Sequence, residues 1–306
     1  MPVGRMRART LLLATTVVAA GALLAWIALR PSTITDIGPL TLPADLPEAP
    51  EGAEVLLAVG DIGSCQGEAD EAVAELAGRL PGTIALLGDT VYPVGSPQDF
   101  ASCFAPAWGP MRERLRPAIG NHEYETSGAA GYFGWFGDAA GEPGQGWYSY
   151  DLGAWHVVVL NSNCAQVSCA PGSPQLEWLE VDLAASDAAD CLLAYWHHPR
   201  WSSGRHGSTE AVEPLWSAAV SAGVDVVLNG HDHSYERVEV EGVQQFVVGT
   251  GGRSLYRFDR DPLPETRARH DATYGLLWLS LGEGSYRWEF LPVGITTFSD
   301  AGEGSC

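Results

Sequence analysis

The sequence contains no lysine: its 17 basic residues are all arginine, they face 38 acidic residues, and the formal net charge of the 306-residue chain is −21. A nucleic-acid-binding protein needs clustered basic side chains to neutralise phosphates. This composition therefore argues against DNA or RNA as a standing partner. The acidity bears on solubility and weak association rather than on the fold.

No C-x-x-C spacing occurs, so a structural zinc site is not expected. The six cysteines are Cys65, Cys103, Cys164, Cys169, Cys191 and Cys306. An even number in an exported chain favours disulfides, although the count leaves their connectivity open. Loop proximity suggests the pairs Cys65–Cys103 and Cys164–Cys169, which leaves Cys191 for Cys306. None of the six follows a predicted strand end, so a cysteine nucleophile is disfavoured.

The one long uncharged apolar segment, Leu11–Leu29, lies near the N-terminus and follows Arg5, Arg7 and Arg9. Its 19 residues suit a membrane span and exceed the usual core of a signal peptide, although Ala20-Gly21-Ala22 resembles a cleavage site. We favour an uncleaved anchor, with a cleaved signal as the alternative. In both cases the arginines keep the N-terminus in the cytoplasm. The remainder is then exported, either anchored on the extracellular face of the membrane or secreted.

The chain divides into three parts. Residues 1–30 form the anchor or signal, and residues 31–53 are a proline-rich linker. Residues 54–306 are predicted to form the catalytic domain. Helices expected over 68–80, 175–184 and 211–222 alternate with strands, whereas residues after His233 carry only strand patterns. This order predicts an α/β protein with two packed mixed sheets and helices outside. The glycine-rich residues 126–145 are predicted to be a loop at the rim of the site.

Five apolar runs each end in a side chain that can bind a metal. These runs and the residues that follow them are Glu54–Gly60 with Asp61, Ile84–Leu87 with Asp89 and Tyr92, Arg116–Gly120 with Asn121 and His122, Cys191–Trp196 with His197, and Val224–Gly230 with His231 and His233. In α/β sheets, ligands bind at the carboxyl ends of the strands, so these side chains are expected to lie together.

This ligand set exceeds the needs of one ion. Three anionic oxygens, one amide and three imidazoles suit two ions that share Asp89. The phenolate of Tyr92 is a hard oxygen ligand that suits Fe(III), and the imidazoles with the Asn121 amide suit a divalent Fe, Zn or Mn.

Five motifs occur in the order found in the calcineurin-like metallophosphoesterases. They are Gly60-Asp61-Ile-Gly63, Gly88-Asp-Thr-Val-Tyr92, Gly120-Asn-His-Glu123, Ala194-Tyr-Trp-His197 and Gly230-His-Asp-His233. The first two specifically resemble the purple acid phosphatase branch. The resemblance covers residues 54–306 and is to a short bacterial member without the N-terminal β domain of the large plant enzymes. It implies a four-layer α/β/β/α sandwich.

The resemblance also implies two ligand sets and a substrate side. The first metal would be held by Asp61, Asp89, Tyr92 and His233, and the second by Asp89, Asn121, His197 and His231. His122 would lie near the substrate. His206 lies nine residues after His197 and matches a substrate-facing histidine of the plant enzymes. His198 is interpreted as a supporting neighbour of His197.

The expected function is hydrolysis of small phosphomonoesters by in-line attack of a metal-bound hydroxide, as in an acid phosphatase. His122 or His206 would protonate the leaving alkoxide. Two alternatives remain open. The same site could serve a phosphodiesterase or nucleotide pyrophosphohydrolase, or the chain could be a surface-anchored binding protein with little turnover.

Overall fold

The computed structural model describes Met1 and residues 39–67, 69–186 and 191–306. The predicted membrane segment, Leu11–Leu29, lies outside these residues, as does the first part of the linker. Within the part of the chain that is described, no helix is both long and apolar enough to cross a bilayer. The boundaries of the three predicted parts of the chain therefore stay predictions.

Two β-sheets form the centre of the fold. The strands of the described residues are β1 Glu54–Val59, β2 Thr83–Leu87, β3 Leu115–Ala118, β4 Tyr148–Leu152, β5 Trp155–Val159, β6 Cys191–Tyr195, β7 Val226–Asn229, β8 Tyr235–Val240, β9 Val243–Val248, β10 Thr266–His270, β11 Tyr274–Gly282, β12 Ser285–Val293 and β13 Ala301–Ser305. The first sheet has the order β13-β12-β11-β1-β2-β3, and the second has the order β10-β8-β9-β7-β6-β5-β4.

Both sheets are mixed, with a parallel part that directs strand ends the same way. In the first sheet β1, β2 and β3 are parallel, and β11 joins β1 antiparallel. In the second sheet β5, β6, β7 and β9 are parallel, and β4 forms an antiparallel hairpin with β5. The carboxyl ends of β1, β2, β3, β6 and β7 are the ends that carry the predicted site residues.

Four longer helices and several short turns cover the sheets. The longer helices are α1 Ala69–Arg79, α2 Ala130–Phe136, α3 Pro174–Ala185 and α4 Glu213–Ser221. The short helical segments are Pro97–Asp99, Phe100–Phe104, Ala105–Trp108, Gly109–Arg114, His122–Glu125, Ser127–Ala129, Gly137–Ala140 and Glu210–Val212. Helix α3 begins where the Ser173 side chain accepts the Leu176 backbone N–H, with Pro174 in the first turn.

Alternation along the strands sorts their side chains between layers. In β1, Leu56 packs between the two sheets with Trp155 and Phe246, whereas Leu57 faces α1 on the outer side. Helices α3 and α4 bury Leu179 and Trp216 against the outer face of the second sheet, and both side chains are almost fully buried. The predicted fold of two mixed sheets flanked by helices in four layers is confirmed.

Two local predictions are wrong. Residues 126–145 are not a plain loop, because they contain α2, whose Tyr132 and Phe136 pack with Phe104 in the core. Burial of these aromatic side chains offsets the low helix propensity of the glycines. The sequence predicts strands after His233 over 236–240, 244–248, 274–281 and 286–292, and this prediction omits β10 and β13, which are polar or glycine-rich. Each pairs with a longer neighbour, β10 with β8 and β13 with β12.

The structure contains three disulfides, and all three proposed pairs are confirmed: Cys65–Cys103, Cys164–Cys169 and Cys191–Cys306. The third pair connects the start of β6 in the second sheet with the C-terminus, which follows β13 in the first sheet. None of the six cysteines is free. This state is typical of proteins from oxidising compartments.

Candidate metal centre

The five strand ends meet at one place between the sheets. The backbone N–H of Asp61, after β1, donates to the carbonyl of Gly88, after β2, at 3.1 Å. The His231 N–H, after β7, donates to Asp61 Oδ2 at 2.8 Å. A strand end of the second sheet therefore contacts the first sheet directly. Asp61, Asp89 and His197 are all buried.

A first group of ligand atoms surrounds the Tyr92 hydroxyl. This oxygen lies 2.9 Å from Asp61 Oδ1, 3.1 Å from Asp89 Oδ2 and 3.1 Å from His233 Nε2. His233 Nδ1 lies 2.8 Å from the carbonyl oxygen of Ser254. Because that carbonyl can only accept, the ring proton sits on Nδ1 and the lone pair of Nε2 points into the group.

A second group surrounds His197 and uses the same atom of Asp89. His197 Nε2 lies 3.4 Å from Asp89 Oδ2 and 3.2 Å from Asn121 Oδ1. His197 Nδ1 faces the carbonyl of Leu87 at 2.8 Å, which again leaves the Nε2 lone pair directed inward. The ring of His231 lies 5.1 Å from that of His197. Asp89 Oδ2 is thus shared by both groups, and its other oxygen accepts the His122 N–H at 2.9 Å.

The donor set fits metal ions. In both groups oxygen and imidazole nitrogen atoms that can bind a metal face one another, and a cation between them would take the place of the protons that they share. Two subsets have ligand atoms within 4.8 Å of each other, one formed by Asp61, Asp89 and His197 and the other by His197, His198 and His231. All seven predicted ligands are brought together, and His198 lies next to them. Their roles as ligands stay predictions.

The pKa values of these groups follow from burial and crowded charge. Burial and the carboxylates of Asp61 and Asp89 raise the pKa of Tyr92 well above 10.0. Burial would raise the pKa of Asp89, but His197 and His122 hold it well below its usual range. Burial would lower the pKa of His197, but Asp89 raises it to about 9. A phenolate at Tyr92 therefore needs added positive charge, which a metal ion supplies.

Three residues at the strand ends have an unusual backbone conformation. Asp61, Asp89 and His231 have φ angles of 59°, 48° and 73°, a region that costs about 1–3 kcal/mol for such residues. Neighbouring glycines leave the space these turns need. A Cβ at Gly88 would lie 2.6 Å from His197 Nδ1, and one at Gly120 would lie 2.2 Å from Asp89 Oδ1. Glycine at both positions lets the ligands approach closely.

Glu123 belongs to the third motif, but no role was predicted for it. Its buried carboxylate accepts the backbone N–H groups of Asp89 at 3.1 Å, Thr90 at 2.7 Å and Gly120 at 2.8 Å. It therefore holds the turns after β2 and β3 in one arrangement and positions Asp89. The sequence feature that could have indicated this role is the position of Glu123 directly after Asn121 and His122.

Asp232 is a second residue that sequence reasoning missed. Its buried carboxylate accepts from the Ser202 hydroxyl at 2.6 Å, the His206 N–H at 2.7 Å and the Gly207 N–H at 3.2 Å. These bonds fix the turn 202–207 beside the ligand strand end. Its position between two predicted ligands, His231 and His233, was the signal.

The two predicted substrate-facing histidines lie on different sides of the ligand group. The His122 ring lies 4.4 Å from Tyr92, and its Nδ1 is 2.6 Å from the carbonyl of Pro93. The His206 ring lies 4.4 Å from His231, and the residue is exposed. Partial desolvation of its ring, which lies against His231, lowers the pKa of His206, and burial lowers the pKa of His198 to about 3. His198 is held by the Ser162 hydroxyl at 2.8 Å, as expected of a supporting neighbour.

Comparison with known protein families matches residues 55–235 to the calcineurin-like phosphoesterases. Among curated proteins, purple acid phosphatase 15 of Arabidopsis thaliana is 29% identical over 301 residues, covering 82% of this chain and 54% of that protein. Purple acid phosphatase 22 of the same plant is 34% identical over 142 residues, covering 41% of this chain and 32% of that protein. The chain spans about half the length of the first relative.

Solved structures share the fold. The purple acid phosphatase PPD1 from yellow lupin (Lupinus luteus) matches with a TM-score of 0.69 at 19% identity, over 81% of this chain and 53% of that one. The Plasmodium protein GAP50, the anchor in the inner membrane complex, matches with a TM-score of 0.63 at 15% identity. That match covers 82% of this chain and 88% of GAP50. At these identities the likeness is one of fold.

Proposed function

The chain belongs to the calcineurin-like phosphoesterase family, and we propose that it is a metal-dependent phosphomonoesterase of the purple acid phosphatase type. One observation carries this proposal: the Tyr92 hydroxyl lies within 3.1 Å of ligand atoms from Asp61, Asp89 and His233. A tyrosine in this position is the feature by which the sequence resembles the purple branch. A phenolate oxygen among carboxylates favours a hard trivalent ion.

The proposed centre holds two ions. Asp61, Asp89, Tyr92 and His233 would hold Fe(III), and Asp89, Asn121, His197 and His231 would hold a divalent Fe, Zn or Mn. Shared use of Asp89 Oδ2 by the two groups supports a bridging role for this carboxylate. His233 and His197 each keep one ring nitrogen on a backbone carbonyl, which fixes the ring and directs Nε2 to its ion.

A pair of bound ions supplies an activated water molecule as the nucleophile and positive charge for the phosphate oxygens. The chain's own residues bind and orient the substrate. Glu123 and Asp232 hold the turns around the site, so the ligands and the two flanking histidines keep their places without reorganisation. Two positive ions outweigh two carboxylates and one phenolate, so the site attracts an anion although the protein is acidic.

His122 and His206 are the candidates for protonating the leaving alkoxide. The Pro93 carbonyl anchors His122 through Nδ1, and His122 Nε2 lies 3.9 Å from Asp89 Oδ2. This geometry suits contact with the phosphate next to the bridging carboxylate. His206 lies on the exposed side beside His231, where a leaving group would depart. We therefore assign the proton donation to His206 and the positioning of phosphate to His122.

The proposed location is outside the cytoplasm. Three disulfides support export, and Leu11–Leu29 would either anchor the protein to the membrane or be removed. Fractionation distinguishes these cases. An anchored protein stays with membranes after a high-salt wash, whereas a cleaved one appears in the medium with an N-terminus after Ala22.

Turnover of an aryl phosphomonoester, its bis-aryl diester and a nucleoside triphosphate tests the proposal on metal-analysed protein. The expected result is two ions per chain and preference for the monoester. Preference for the diester or the triphosphate would instead indicate a phosphodiesterase or pyrophosphohydrolase. No turnover of any substrate with two ions bound would indicate a binding protein. GAP50, described as an anchor, shows that a protein of this fold can have such a role. We also propose that the substrate is a small phosphate ester.

A further inference from the structure

A row of aromatic rings runs from the candidate metal centre toward the surface, and an arginine lies against each of its two tyrosines. The ring of Tyr256 stacks on His233 with centroids 4.2 Å apart and an interplanar angle of 11°. His233 in turn lies 6.0 Å from the ring of Tyr92. The Arg205 guanidinium lies 4.8 Å from the Tyr256 centroid, and the Arg253 guanidinium lies 4.9 Å from the Tyr92 centroid.

These positions are fixed through the backbone that carries the ligands. The Arg253 N–H donates to the carbonyl of Asp61 at 2.9 Å, and the Tyr256 N–H donates to the carbonyl of His233 at 3.0 Å. Arg205 belongs to the turn 202–207, which Asp232 holds by three hydrogen bonds. The backbone segments that carry the two arginines are therefore held by the same residues that build the centre, which reduces the order that binding must impose.

Both guanidinium groups also lack an acidic partner within the described chain. The arginines there that form ion pairs with Asp or Glu are Arg79, Arg200, Arg237, Arg257, Arg267 and Arg287. Both arginines are partly buried, and each guanidinium group lies against an aromatic ring beside the candidate metal centre. A planar guanidinium that rests on a ring keeps its N–H groups for a carboxylate or phosphate.

We propose that Arg205 and Arg253 bind a second anionic group on the alcohol part of the substrate, a phosphate or a carboxylate, and thereby select phosphomonoesters that carry one. This inference rests on the proposed phosphomonoesterase activity. The scissile phosphate occupies the metal centre, and the second group lies beside Tyr256, whose hydroxyl is close enough to both guanidinium charges to feel them. Tyr256, between Arg205 and the ligand His233, provides an apolar face for the carbon chain that connects the two groups.

Alkanediol bisphosphates with chains of two to six carbons test the proposal, each compared with the monophosphate of the same diol. Hydroxyalkanoate phosphates of the same lengths replace the second phosphate by a carboxylate. We expect kcat/KM of the wild-type enzyme to be about tenfold or more higher for the best bisphosphate than for its monophosphate, since a charged hydrogen bond contributes about this much. The carboxylate series decides which anion is preferred.

Arg205→Met and Arg253→Met should each reduce this preference while changing kcat/KM for the monophosphate little. Arg205→Lys and Arg253→Lys should retain part of the preference for the bisphosphate, because lysine keeps the positive charge. Arg257→Met is the matched control, since Arg257 lies in the same loop but pairs with Asp271 at 3.9 Å. Measuring the metal content and the thermal unfolding of each variant shows whether a lost preference is due instead to lost metal or to an unstable fold.

Binding of alkane bisphosphonates and monophosphonates, measured by calorimetry, provides a second readout that needs no turnover. Wild-type protein should bind the bisphosphonate more tightly, and the Met variants should not. If kcat/KM and affinity were the same for compounds with and without the second anionic group at every chain length, the inference would be overturned. The phosphomonoesterase proposal would remain intact. Failure to hydrolyse any monoester, with selective bisphosphonate binding retained, would instead overturn the proposed function alone.

Discussion

The hydroxyl oxygen of Tyr92 lies 2.9 Å from Oδ1 of Asp61, although the two residues are 31 positions apart. Asp61 follows β1 and Tyr92 follows β2, which are neighbouring parallel strands. The contact places a phenol against a buried carboxylate, where burial and two negative neighbours oppose its ionisation. A carboxylate at this position could also bind a metal ion, but it could not supply the phenolate donation that only Tyr92 offers.

Tyr92→Phe tests that chemistry. If the ion held by Tyr92 is Fe(III), phenolate donation gives the wild-type protein a visible charge-transfer band. The variant should lose the colour, while Asp61, Asp89 and His233 hold the ion more weakly. Absorption spectra with iron analysis provide the measurement. A coloured variant, or a colourless wild type with full iron loading, would reject the assignment.

Asp89→Ala should remove both ions, because Asp89 Oδ2 faces both ligand groups. The measurement is metal content after gel filtration, with Asp138→Ala as the control because Asp138 is exposed and remote from the ligand set in sequence. The control should keep two ions per chain. An Asp89→Ala protein that also keeps two would show that the carboxylate does not bridge them.

His122→Ala and His206→Ala should differ on alkyl and aryl phosphates. Loss of a general acid costs about 10²–10⁴-fold when the leaving group is poor, and much less for a nitrophenolate. We expect His206→Ala to show the larger loss specific to the alkyl ester, and His122→Ala to lose activity on both. Steady-state kinetics on the two substrates provide the measurement. An alkyl-specific loss in His122→Ala alone would reverse the roles.

Removal of the disulfides should destabilise the protein in an order set by the length of chain each encloses. The sequence separations are 115, 38 and 5 residues for Cys191–Cys306, Cys65–Cys103 and Cys164–Cys169. Loop entropy then predicts losses of about 5, 4 and 2 kcal/mol respectively. Denaturant unfolding of paired Cys→Ser variants checks the order, and an equal loss for all three would contradict it.

His156 should make stability depend on pH. Its ring nitrogens lie 2.8 Å from Asp151 Oδ1 and 2.9 Å from Asp182 Oδ2, and Ser149 also binds Asp182. Burial would lower the pKa of His156, but these two carboxylates raise it above 6.5. A raised pKa in the folded state stabilises the protein below the unfolded pKa, and the effect is lost as pH rises through the folded value.

His156→Gln should therefore be less stable than the wild type at about pH 5, with the difference shrinking toward about pH 8. The measurement is the difference between the free energies of unfolding of the two proteins at each pH, in which the pH effects common to both cancel. A difference that is constant with pH would mean that the His156 contacts contribute as neutral hydrogen bonds.

The sequence alone predicted which side chains meet at the strand ends and the order of the layers. Asp61, Asp89, Tyr92, Asn121 and His197 each follow an apolar run, and this pattern is local, so it is visible without coordinates. The three cysteine pairs also followed from the sequence. Parallel strands send their carboxyl ends to one edge, which makes the convergence of such residues predictable.

Tertiary structure decided which residues support the site. Glu123 and Asp232 act by accepting N–H groups from turns far along the chain, and Arg253 lies beside Tyr92 only in the folded protein. A buried carboxylate or an unpaired guanidinium takes its role from groups that packing brings to it, and no local pattern encodes those groups. For the same reason α2 and the strand β13 were missed, because each is stabilised by packing or pairing with distant residues rather than by its own propensity.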